Sequence, residues 1–135
     1  PTVAELGQLV ERAARAGLPA TLRVEGERRP LPAGAEAAIY RVVQEALTNA
    51  LKHAGGAATE VVLRWGADEL EVVVADSGRG GHGEATSLPS GGHGIVGMRE
   101  RVRVYGGELT AVPRPGGGFV VRARLPLDEA VLGVA

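Results

Sequence analysis

The chain has 135 residues with 15 Lys+Arg against 16 Asp+Glu, a formal net charge of −1, which suits a single domain and removes any broad electrostatic drive toward nucleic acid or an anionic membrane. Hydrophobic residues make up 44% but aromatic ones only 3%, so the core must be built from Ala, Val and Leu, as in a sheet packed on helices. With no Cys, a disulfide framework, a thiolate nucleophile and a Cys-ligated zinc site are excluded, which fits a reducing cytoplasm without requiring it, and with no stretch near the roughly 18 apolar residues of a spanning helix and no basic-then-apolar leader, this piece is expected to be soluble.

Between Pro1 and Ala16 the apolar residues Val3, Leu6, Leu9, Val10, Ala13 and Ala14 recur at helical spacing, and Gly17 with Pro19 stops the run. Ala20 to Glu25 alternates as a strand, and the charged run to Arg29 leads into a Pro30-Leu31-Pro32 loop. From Ala35 to His53 the residues Ile39, Val42, Val43, Ala46, Leu47, Ala50 and Leu51 predict the principal helix, ended by Gly55-Gly56. Thr59 to Trp65 and Glu69 to Asp76 read as a hairpin, with Trp65 directed into the core. Ser77 to Gly92 has no hydrophobic period, and a loop of that length is expected to be a mobile, functional lid. Helical spacing resumes at Ile95, Met98, Val102 and Tyr105, ended by Gly106-Gly107. Leu109 to Val112 and Phe119 to Leu125 are the last strands, and the tail from Asp128 carries no clear signal. Helices segregated between strand pairs predict an α+β two-layer sandwich, with a mixed, mainly antiparallel sheet covered on one face by about three helices.

On the principal helix, Arg41, Glu45, Asn49 and Lys52 form one polar stripe. A carboxylate with a neutral amide one turn away suits Mg²⁺, which takes oxygen ligands and leaves the rest to water and phosphate, with Lys52 and His53 near phosphate oxygens. A solvated helix face with i, i+4 pairing accounts for the stripe taken alone. Leu70, Val72, Val74 and Asp76 share strand parity, which puts a carboxylate at the end of a core-facing row where it must find donors such as a purine amine. Ser77-Gly78-Arg79-Gly80 follows, where missing Cβ atoms let a flat ring approach, although an Asp-Ser-Gly turn also simply ends a strand. Gly91-Gly92-His93-Gly94-Ile95-Val96-Gly97 opens a helix, whose free N–H groups and dipole favour an anion such as a triphosphate. Two G-x-G-x-x-G matches lack the strand-then-helix context of a dinucleotide site, and no P-loop occurs.

Together, Glu45-x-x-x-Asn49-x-x-Lys52-His53, Asp76-Ser77-Gly78-Arg79-Gly80 and Gly92-His93-Gly94-Ile95-Val96-Gly97 resemble the N, first-glycine and second-glycine boxes of the GHKL ATPases. Tyr40 to Asn49 and Gly97-Met98-Arg99-Glu100-Arg101-Val102 resemble the catalytic ATP-binding domain of sensor histidine kinases of the NarL/DegS type. The resemblance implies a Bergerat α/β sandwich that binds ATP and Mg²⁺. Asp76 would recognise the adenine amine, Asn49 would hold Mg²⁺, and Glu45 would assist the nucleophile or organise the metal through water. Lys52 and His53 would approach the phosphates, while Gly78, Gly80, Gly92, His93, Gly94 and Ile95 would shape the nucleotide site. The implied partners are the dimerisation and phosphoacceptor helices of the same kinase and a NarL/LuxR-type response regulator.

Gly81 departs from the larger apolar residue frequent after the first-glycine box. The family's phosphoaccepting histidine beside an acidic residue has no match, since His53 lies in the N box and His82 and His93 lie in or beside the lid. Residues 1–135 are therefore expected to be one catalytic domain of a longer kinase, binding ATP without autophosphorylating alone. The three histidines follow no zinc spacing, and Arg99, Arg101 and Arg103 diverge around their helix and so present no nucleic-acid stripe. Two other readings are an anti-sigma-factor serine kinase of the same superfamily and a non-catalytic nucleotide-sensing module.

Overall fold

The computed structural model describes residues 2–53, 57–78 and 93–127. A 3₁₀ turn at Val3–Glu5 leads into α1 (Leu6–Arg15), followed by β1 (Ala20–Glu25), α2 (Ala33–His53), β2 (Thr59–Trp65), β3 (Glu69–Asp76), α3 (His93–Val104), β4 (Glu108–Pro113) and β5 (Phe119–Pro126). The expected lid falls almost wholly outside the described residues, as does the tail from Asp128.

Two helix starts differ from the periodicity for local reasons. The first helix opens as a 3₁₀ turn closed by the Glu5 N–H on the Thr2 carbonyl at 3.0 Å. α2 begins two residues earlier than its apolar pattern because the Pro32 carbonyl accepts from Ala35 at 2.9 Å and Glu36 at 3.1 Å, closing a first turn that needs no apolar residue.

The five strands lie in the order β1-β2-β3-β5-β4. β1 joins β2 in parallel across the intervening α2 and the other pairs are antiparallel, so the sheet is mixed and mainly antiparallel as expected. All three helices cover one face, α1 over β1, α2 across β2 and β3, and α3 against β4 and β5. Between the layers lie Ile39, Val42, Val43 and Leu47 of α2, Val61 and Leu63 of β2, Leu70, Val72 and Val74 of β3, and Val121, Ala123 and Leu125 of β5, all nearly fully buried. Trp65 occupies the core as its strand parity predicts, at 7% exposure.

The opposite face is a checkerboard of charge. Arg64 donates to Glu71 at 3.1 Å and Glu25 at 3.0 Å, Arg122 pairs with Glu71 at 3.1 Å, and Arg23 pairs with Glu25 at 3.1 Å. Hydrogen bonds from Arg64 to Glu71 and then Glu25 raise the Arg64 pKa above its usual value, so the guanidinium stays protonated. Val62 and Val73, opposite each other in the register and flanked by Arg23 and Arg122, are buried on this outer face, Val62 at 3% exposure. The aliphatic stems of the arginines supply the cover.

Among the described residues, no helix is long and apolar enough to cross a membrane.

Candidate functional site

The strand parity that buries Leu70, Val72 and Val74 carries Asp76 to the end of the same row, where it is 5% exposed. A carboxylate at that depth needs hydrogen bonds, and one Oδ1 acceptor site is used by the Gly78 N–H at 2.9 Å, which closes a turn as the chain leaves β3. Thr59, 2% exposed, stands opposite Asp76 on β2, and Phe119 stands opposite it on β5. The three share the helix-facing side of the sheet and form its last row. Thr59 and Phe119 were not singled out by the sequence reading; only the strand register, which no local pattern states, brings them beside Asp76.

On α2, Glu45 and Asn49 are half-buried one turn apart, while Arg41 and Lys52 are exposed. Glu45 rests on the first turn of α3, where an ideal Cβ placed on Gly94 would lie 2.5 Å from Glu45 Oε2 and 3.0 Å from its Cδ. At the far ends of the two helices, Gly34 of α2 packs as closely on the Tyr105 hydroxyl just beyond α3. The helices therefore run antiparallel, with a glycine at each end permitting close approach, and the α2 carboxylate meets the N-terminus of α3. The first N–H groups of α3, at His93, Gly94 and Ile95, have no partner within their own helix and carry its positive dipole end. Ile95 buries its side chain in the core at 5% exposure, so its backbone is what it offers an anion.

The structure thus joins Glu45 to Gly94 and fixes Asp76 with Gly78, while Asn49 and Lys52 follow Glu45 along α2. His53 is the last residue of α2 and His93 the first of α3; Gly80 and Gly92 lie outside the described residues. Among the described residues no three His, Cys, Asp or Glu converge as a metal cage. The donor set on α2, one carboxylate and one amide oxygen, fits a hard cation that takes its remaining ligands from phosphate and water. A further contribution comes from the turn between β4 and β5, where Arg114 Nη1 donates to the Asp76 main-chain carbonyl at 2.9 Å. The Pro113-Arg114-Pro115-Gly116-Gly117-Gly118 sequence marks a turn, but nothing in it says which strand end the arginine meets.

Residues 34–129 match the family described as histidine kinase-, DNA gyrase B-, and HSP90-like ATPase. The signal transduction histidine-protein kinase/phosphatase DegS of Brevibacillus brevis is 35% identical over 103 residues, covering 76% of this chain and 26% of DegS. Sensor histidine kinase LnrJ of Bacillus subtilis is 32% identical over 126 residues, covering 93% of this chain and 30% of LnrJ. The chain thus spans less than a third of the length of either relative. The solved histidine kinase domain of the blue-light activated histidine kinase EL346 from Erythrobacter litoralis superposes with a TM-score of 0.69 at 29% identity, covering 98% of this chain and 68% of that one. The two-layer fold with its helices on one face is therefore shared with a histidine kinase domain, and the chain belongs to the family of histidine kinase-, DNA gyrase B- and HSP90-like ATPases.

Proposed function

We propose that this chain is the ATP-binding catalytic domain of a NarL/DegS-type sensor histidine kinase, acting in the cytoplasm on a histidine carried by the dimerisation helices of the same protein. The supporting observation is the pair of fixed carboxylates: Asp76 buried at the end of a core strand, and Glu45 held against the helix that follows the glycine-rich segment. Asp76 accepts from the adenine amine, which selects adenine over a base presenting a carbonyl there. The α3 N-terminus and Lys52 draw the phosphates toward Glu45. Mg²⁺, held by the Asn49 amide oxygen with Glu45 acting through water, would supply charge neutralisation to the triphosphate. As a bond forms between an imidazole nitrogen of the acceptor and the γ-phosphorus, the bond from that phosphorus to the bridging oxygen of ADP breaks and ADP leaves. Glu45 orients that imidazole and accepts its proton. The phosphoryl group then passes to an aspartate of a NarL/LuxR-type response regulator.

Calorimetric titration of Mg-ATP and ADP into the chain tests the first half of this reading. Saturable binding is expected, with Asp76→Asn weakening it by roughly tenfold to a hundredfold or more, the worth of a hydrogen bond to a charged acceptor. Equal binding by the variant would overturn the adenine assignment. Labelled ATP with a supplied histidine-bearing dimerisation helix tests the second half. Phosphohistidine is expected on the helix and not on this chain, and Glu45→Ala should suppress it. Transfer undiminished in that variant would remove Glu45 from the chemistry.

A further inference from the structure

The β4–β5 turn is built for one conformation. Pro113 and Pro115 restrict the backbone on either side of Arg114, and Gly116, Gly117 and Gly118 all adopt left-handed φ values of 87°, 115° and 105°. The turn is closed by the Arg114 N–H on the Gly118 carbonyl at 2.8 Å and the Gly117 N–H on the Arg114 carbonyl at 3.0 Å. Two contacts then converge on one atom of another strand. Arg114 Nη1 donates to the main-chain carbonyl of Asp76, 38 residues away, at 2.9 Å. Gly118 packs its Cα against the same carbonyl so closely that any Cβ would collide with it. Since the Asp76 carboxylate meanwhile accepts from Gly78, the residue is gripped at both its side chain and its backbone.

We infer that Arg114 is a positioning residue for purine recognition, fixing the main chain of Asp76 and through it the direction of the carboxylate. This rests on the proposed adenine site. The guanidinium acts from the end of the sheet, where with Thr59, Ala75 and Ser77 it lines a cavity of about 450 Å³. Arg114 is itself exposed, so replacing it opens no hole in the core. Positioning and direct phosphate contact make different predictions. A phosphate ligand matters more with each added phosphate, whereas a residue that aims the adenine acceptor affects every adenine nucleotide alike.

The test titrates AMP, ADP and Mg-ATP into the wild-type chain and into Arg114→Met, Arg114→Lys and Asp76→Asn, with the melting temperature and the Gly78 amide resonance recorded for each. Arg114→Met should weaken all three nucleotides by the same factor, roughly three- to tenfold for one charge-assisted hydrogen bond at a partly exposed site. It should also move the Gly78 amide resonance, while the melting temperature of the free protein falls by no more than about 5 °C for the one hydrogen bond lost. Arg114→Lys, which keeps a charged donor, should restore most of both effects. A loss climbing from AMP to ATP would make Arg114 a phosphate ligand and overturn the inference. Unchanged affinity, or a larger fall in melting temperature that Arg114→Lys does not rescue, would overturn it too. Asp76→Asn separates the two levels: if it binds AMP as wild type does, the adenine site itself is misplaced, and if it fails to bind while Arg114→Met binds normally, only the role of Arg114 falls.

Discussion

Gly94→Ala tests the role proposed for Glu45 apart from the rest of the fold. The new Cβ would arrive 2.5 Å from Glu45 Oε2, 3.0 Å from Cδ and 3.1 Å from Cγ, so restoring ordinary contact near 3.4 Å requires the carboxylate to retreat by about 0.9 Å. Gly94 is helical, and Ala is the better helix former by up to about 1 kcal/mol, so the substitution should hold or raise stability provided the Glu45 side chain yields. A displacement approaching 1 Å in a group that orients the reacting atoms costs up to about a hundredfold in rate. The expected result is phosphoryl transfer to a supplied histidine helix slowed by roughly ten- to a hundredfold, with ADP affinity within about threefold and a melting temperature at or above that of the parent. The assay is single-turnover transfer from labelled ATP beside calorimetry and thermal melting. Wild-type transfer by this variant would refute the claim that Glu45 acts from its place against α3. A collapse of ADP affinity at normal turnover would show that Gly94 shapes the nucleotide site, as its glycine box implies, without setting the position of Glu45.

Other consequences concern stability. Trp65→Ala removes a side chain 7% exposed at the end of a core strand, and urea unfolding should show a loss of about 3–5 kcal/mol. Val62→Thr places a hydroxyl beneath the arginine stems of the outer sheet face, where Val62 is 3% exposed, and should cost about 1–3 kcal/mol. The same change at Val112, 52% exposed on that face, should stay within about 0.5 kcal/mol; equal effects at the two positions would show that the charged ladder does not seal the face.

The parts of this molecule governed by repeat were legible in its sequence. The period of α2 set its buried face, and the alternation of β3 placed Asp76 on the core side at the helix-covered end of its strand. Contacts that depend on two distant segments were not. The parallel placement of β1 beside β2 depends on α2 crossing the sheet, and the Thr59–Asp76–Phe119 row depends on register across three strands. Arg114 reaches Asp76 only because three glycines bend the turn. Val62 and Val73 alternate as outward residues should, and their burial arises from the length of neighbouring arginine side chains. Lys52 was legible as part of a polar stripe, and it is exposed on α2.

The strand order also bears on how such a domain can diverge. Asp76 and Phe119 are direct partners across the β3–β5 ladder, while α3 is tied to α2 at Gly94 and Gly34 and packs on β4 and β5. Both ends of the 14-residue stretch between Gly78 and His93 are thus secured by structure outside it. The row that carries Asp76 and the helix that meets Glu45 are therefore each held by their own pairing and packing, so this end of the sheet stays under selection for packing whatever sequence joins the two.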